Sequence, residues 1–141
     1  MKKLFSAESL AQRNGLVFLR IVTGLLMAYH GLEIFKPDII KGYADWDKIK
    51  VLPYPLMAAY IGKGLEFVTG VLLAVGLFTR IAALLMFLNM MVICFYIATG
   101  KFWYEDQHPF IFGLLALVFF FTGPIKLSFD HVLFKPKKKY Y

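Results

Sequence analysis

Four ionisable residues stand inside long apolar stretches of this chain: Arg20 and Glu33 in the first, Lys63 and Glu66 in the second. A charge near the middle of a membrane helix costs about 2.5–3.5 kcal/mol. Such residues therefore turn away from lipid and find partners. Two cations and two anions balance each other. His30 and Asn89 add polar groups in the same apolar surroundings. Two chemistries fit this set. One is an ion-pair network that fixes helix register. The other is a polar niche for a small molecule, a quinone head group or a proton.

Spacing sets which of these side chains can meet. Arg20, Thr23, Gly24, Met27, His30 and Gly31 fall on one helical stripe. Arg20 and His30 are then about 15 Å apart along the axis. Glu33, three residues past His30, can touch it. In the second stretch Gly62, Glu66, Thr69 and Gly70 share a face, and Lys63 can pair with Glu66. By depth, Lys63 is expected to reach Glu33 or Glu66, and Arg20 to reach toward Glu66. Asn89, midway along a third stretch, is expected to complete the hydrogen bonding. The glycines let two helices approach closely. Met27, Phe67 and Met90 are candidate apolar walls at similar depth.

Other chemistries lack their residues. A bis-histidine haem needs two facing intramembrane histidines, and only His30 qualifies, with His108 at the edge and His131 in the tail. No Cys/His cluster has metal-ligand spacing, so no metal is expected. Cys94 is the single cysteine, which excludes an intrachain disulfide or dithiol relay. It is expected in the core or facing lipid. There is no nucleophile elbow, phosphate loop or dinucleotide fingerprint, and no repeat or broken-helix pattern of a transporter. No intrinsic cofactor is expected.

The elements that position the charges are membrane helices. Sixty per cent of the 141 residues are hydrophobic and the mean hydropathy is +0.65, far from a soluble average. The pattern predicts a single all-α domain over 1–141, a polytopic antiparallel bundle of four transmembrane helices. The spans are placed at 15–35, 56–78, 81–98 and 107–125, followed by a basic tail at 126–141. Phe78-Thr79-Arg80 is short enough to force an antiparallel hairpin, with Thr79 as the expected cap of the third helix. Pro109 suits the first turn of the fourth. The loop from Lys36 to Pro55 has room for a short surface helix. The segment Leu127 to Phe134 is expected to lie on the membrane.

The net charge is +7. Basic residues flank the spans, which follows from topology rather than from nucleic acid binding. Lys2, Lys3, Arg13, Arg80 and the lysines of the tail share one side, so both termini are expected in the cytoplasm. The opposite side carries Tyr43, Trp46, Tyr54, Trp103 and Tyr104, as an interfacial belt would. No signal peptide is evident, because polar residues between Ser6 and Asn14 interrupt any apolar core.

Arg20, Gly24 and His30-Gly31, with the block Gly62-Lys63-Gly64-Leu65-Glu66, Gly70 and Gly76-Leu77-Phe78-Thr79-Arg80, resemble the DoxX family. Asn89-Met90, Gly123-Pro124 and Ser128-Phe129-Asp130 match as well, so the resemblance runs from about Leu16 to Leu133. It implies a small four-helix protein of the bacterial cytoplasmic membrane. Some relatives are subunits of thiosulfate:quinone oxidoreductase. The resemblance thus implies an accessory or quinone-interacting subunit, with a quinone as ligand and a membrane protein or second copy as partner. A scaffold with structural charges, or a small-molecule or proton conduit, are the alternatives. Two positions depart from the pattern. Gln107-His108-Pro109 lacks the acid that many members carry there, for which Glu105 or Asp106 can substitute. Gly123-Pro124-Ile125 replaces Gly-Pro-Gly.

Overall fold

A computed structural model describes residues 11–134. Lys2 and Lys3, and the lysines at 135 and 137–139, lie outside the described residues. The described residues are all-helical, with no strand. The elements are α1 (Gln12–Gly31), a 3-10 turn (Leu32–Phe35), α2 (Pro37–Ala44), α3 (Pro55–Val75), α4 (Thr79–Val92), a π-helical turn (Ile93–Ile97), α5 (Gln107–Thr122) and α6 (Phe129–Leu133).

Three helical stretches are long and apolar enough to cross a membrane: Gln12–Phe35, Pro55–Val75 and Thr79–Ile97. The fourth apolar helix, α5, has 16 residues. At 1.5 Å per residue it extends about 24 Å, less than the roughly 30 Å of a hydrocarbon core. Gly123 and Pro124 follow its last residue, Thr122, and end it there. The surface helix expected in the long loop is present as α2, with Pro37 at its start.

Close backbone approach holds α1 against α3. A methyl group at Gly24 or Gly70 would run into the facing helix backbone, at Ala74 and Ala28 respectively. Gly31 meets the backbone of Phe67 in the same way. The apolar core lies between α1, α3, α4 and α5, built on Met27, Leu73, Met86, Met90, Ala116 and Phe119. α3 packs on α4 and α4 on α5, whereas α1 and α5 barely touch. A gap between these two helices is the consequence. Cys94 is fully buried in the π-helical turn.

The turn from α3 to α4 is built differently from the expectation. Gly76 ends α3 at φ +71°, and Leu77 donates back to the Leu72 carbonyl at 2.9 Å, a left-handed stop that favours glycine. Thr79 does not cap α4. It is the first helical residue, and its buried hydroxyl has no partner among the described residues. The cap comes from the tail: the Asp130 carboxylate accepts from the Phe78 amide at 2.7 Å and the Thr79 amide at 2.8 Å. The Asp130 amide in turn donates to the Gly76 carbonyl at 2.9 Å. The segment after α5 therefore does more than rest on a surface. It folds back and closes the α3–α4 turn, leaving Leu127, Val132, Leu133 and Phe134 outward.

Candidate functional site

Lys63 is the hub of the charged set. Its ammonium lies 2.9 Å from Glu66, one helical turn further along α3. It lies equally close, 2.9 Å, to Glu33 in the 3-10 turn that ends α1. The Tyr43 hydroxyl, on α2, donates to the same Glu33 oxygen at 2.7 Å. The Lys63 ammonium also sits 4.7 Å above the Tyr43 ring, a cation–π contact. The side chains form a gradient of burial: Glu33 is 30% exposed, Lys63 14% and Glu66 6%. A continuous chain of polar contacts thus leads from the half-open Tyr43–Glu33 end to the buried Glu66. Burial and the Glu33 hydrogen bond hold the Tyr43 phenol above its ordinary pKa.

Asn89 stands beside this chain without touching its charges. Its amide donates to the Gly62 carbonyl at 3.3 Å and ties α4 to α3 one turn before Glu66.

Arg20 is not part of the site. It is fully buried, but its guanidinium reaches the opposite end of the molecule, donating to the Leu127 carbonyl at 2.6 Å. There it packs on Gly76. Side chains on a helix tilt toward its N-terminus. Arg20 therefore extends away from mid-helix, and Glu66, on the antiparallel α3, extends the other way. Similar depth alone did not bring them together. Its Nε and Nη1 have no partner among the described residues.

Two cavities meet at the Lys63–Glu66 pair. One, of about 140 Å³, lies in the gap between α1 and α5 and is lined by Met27, His30, Met90, His108 and Pro109 with Lys63 and Glu66. The other, of about 130 Å³, lies under α2 and is lined by Tyr43, Trp46, Ala59 and Gly62 with the same pair. Ile93, first residue of the π-helical turn, borders both. Met27 and Met90 form walls as anticipated. Phe67 does not line either cavity; it stacks edge-on against Phe35 at 5.4 Å.

His108, exposed in the first turn of α5 at the edge of its span as expected, also lines the cavity between α1 and α5. Its ring lies 4.8 Å from that of His30, so two imidazoles stand at the cavity mouth. The pair is grouped with no third His, Cys, Asp or Glu for a metal ion among the described residues. The acids near the start of α5 do not supply the missing carboxylate. Asp106 accepts from the Thr99 hydroxyl at 2.7 Å and from the amides of Thr99 and Lys101, each at 3.0 Å. The Thr99 hydrogen bond, then the backbone amides, hold its carboxyl below the usual range. Glu105 is exposed and bonds Thr99 and Lys101. Both acids close the loop into α5.

The DoxX family model matches residues 15–99, more than half of the chain and all of α1 through α4 but its first few residues. This chain belongs to the DoxX family. The matched region holds Arg20, His30, Glu33, Lys63, Glu66 and Asn89, whereas His108 and Asp130 lie beyond it. A curated relative, "Putative oxidoreductase CatD" of Bacillus subtilis (strain 168), is 28% identical over 125 residues, covering 88% of this chain and 90% of its own. No solved structure gives a significant match. The family and the apolar helices together indicate a DoxX-type membrane protein.

Proposed function

We propose that this DoxX-family protein binds a quinone head group in the cavity between α1 and α5, as a subunit of a membrane oxidoreductase. The observation that carries this reading is the Glu66 carboxylate, which borders that cavity and connects through Lys63 to the half-open Glu33. Reducing a quinone takes two electrons and two protons. Glu66 takes and gives the protons, Lys63 stabilises its anionic form, and Glu33 exchanges with water. His30 and His108 donate hydrogen bonds to a carbonyl oxygen. Electrons come from a partner subunit that carries a redox cofactor. The volume suits the ring, since a cavity of about 150 Å³ accepts benzene. The gap between α1 and α5 offers entry from the bilayer. The name of the Bacillus relative adds the word oxidoreductase.

The topology that serves this function has four crossings, with both termini in the cytoplasm of a bacterial inner membrane. α5 spans with the help of residues flanking each end. The Tyr43–Glu33 end then faces outward, with Trp46, Trp103 and Tyr104 exposed at that level.

The test is stabilisation by a short-chain quinone added to the purified protein. At a hundredfold excess over Kd, mass action contributes about 2.7 kcal/mol. His30→Ala and Glu66→Gln should reduce that gain more than they reduce baseline stability. Arg20→Leu should leave the gain intact. A folded protein that no quinone stabilises would favour a scaffold whose charges only hold the helices.

A further inference from the structure

At the end of the molecule far from Glu66, a second cleft opens between the first turn of α1 and the chain that leaves α5. It measures about 500 Å³. Arg13, Lys126 and His131 line it, with the amide of Gln12 and the apolar side chains of Leu16 and Ile125. Among the described residues no Asp or Glu lines it. Neither Arg13 nor Lys126 forms an ion pair with a described carboxylate. Asp130, the nearest acid in sequence, points the other way and caps α4. Two fixed cations and an imidazole thus converge on one concave surface, with no carboxylate among the described residues to neutralise them.

Position limits what fills it. Gln12 is the first residue of α1 and Thr122 the last of α5. The cleft therefore opens where two apolar helices end. Arg80 stands beside it, its guanidinium packed on Gly123. Phe121, next to the cleft in the chain, is 72% exposed and faces outward. A ligand that joins a negative head to an apolar body satisfies both halves of this surface. Each Lys or Arg near a membrane surface adds attraction for anionic lipid.

We propose that this cleft is a headgroup site for an anionic phospholipid, with the phosphate held by Arg13 and Lys126. The assignment rests on α1 and α5 crossing the bilayer, and not on quinone binding. It places the lipid against the same segment, 123–131, that caps α4 and bonds Arg20.

Native mass spectrometry of the full chain tests it, after extraction in detergent with equal phosphatidylglycerol and phosphatidylcholine. The wild type should retain phosphatidylglycerol preferentially. Arg13→Gln and Lys126→Gln should each lower the retained ratio about fivefold, while Lys101→Gln, at the opposite end, should leave it unchanged. Both substituted side chains are exposed, so the fold should survive, and circular dichroism checks it. Inorganic phosphate at millimolar concentration should not displace the lipid. Equal retention of both lipids, or an unchanged ratio in the double variant, would overturn the proposal. Displacement by inorganic phosphate would instead assign the cleft to a soluble phosphate compound.

Discussion

Lys63 and Glu33 join α3 to the end of α1 by a contact of 2.9 Å, at the one place where the charged set reaches the surface. The contact fixes the register in which α1 and α3 pack, since Gly24, Gly31 and Gly70 permit close approach but favour no direction. It also sets how deep the polar chain begins.

Removing Lys63 alone should be costly, because Glu66 then stays buried with no cation. Breaking one partner of a buried pair costs about 3–5 kcal/mol. Lys63→Met should lower the melting temperature in detergent well below that of a lipid-facing Leu88→Ala control. Lys63→Met combined with Glu66→Leu should recover much of the loss. Equal melting of Lys63→Met and the control would mean that the pair is solvated.

Asp106 should make the outer loop acid-sensitive. Its folded-state pKa lies below its unfolded value, so its stabilising effect is complete above the unfolded value of about 3.9. The effect is lost as pH falls through the folded value. Hydrogen-exchange protection of residues 98–106, taken relative to the intrinsic rate at each pH, should fall below about pH 4 in the wild type. In Asp106→Asn, protection should already be low at neutral pH and change little on acidification. A wild-type loop protected equally at pH 6 and pH 3 would contradict this.

Asp130→Ala should destabilise more than the loss of an ordinary helix cap, which costs about 0.5–2 kcal/mol. It frees two amides and removes the carboxylate that attracts the Arg20 guanidinium. Urea unfolding in mixed micelles should show the excess. A loss matching that of Ser128→Ala, which removes the cap of the short α6 and a hydrogen bond to the Ile125 carbonyl but leaves the Asp130 carboxylate in place, would show that Arg20 gains nothing from Asp130.

Much of this site was legible from spacing, and the rest depended on how distant segments fold together. Lys63 and Glu66 sit three residues apart on one helix, so their pairing needed only helical geometry. Glu33 followed from depth on an antiparallel neighbour. His108 did not, because its approach to His30 depends on the lateral placement of α5, which no local pattern encodes. Arg20 shows a different gap: its depth suggested Glu66, but the tilt of helical side chains sends the two toward opposite ends. That tilt is a property of sequence direction and was available. The Asp130 cap requires the tail to turn back across the α3–α4 turn, through a left-handed Leu127 at φ +58°. Nothing in the residues around Thr79 announces a cap delivered from so far along the chain. The end of α5 at Thr122 was legible, because Gly123 and Pro124 follow it and stop a helix.

Orientation has its own test. Single cysteines at Ser6 and Asp45, in a Cys94→Ser background, should react differently with an impermeant thiol reagent applied to intact cells. Asp45→Cys should label and Ser6→Cys should not. The reverse pattern would invert the proposed topology and place the Tyr43–Glu33 end in the cytoplasm.

The most direct measurement is crosslinking with a photoreactive short-chain quinone, followed by peptide mapping of the labelled protein. Label is expected on Met27, His30, Met90 and His108, the walls of the cavity beside Glu66. It should fall when unlabelled quinone competes, and in Glu66→Gln. Label confined to outward residues such as Tyr29 or Phe121, without competition, would contradict a quinone site in this protein.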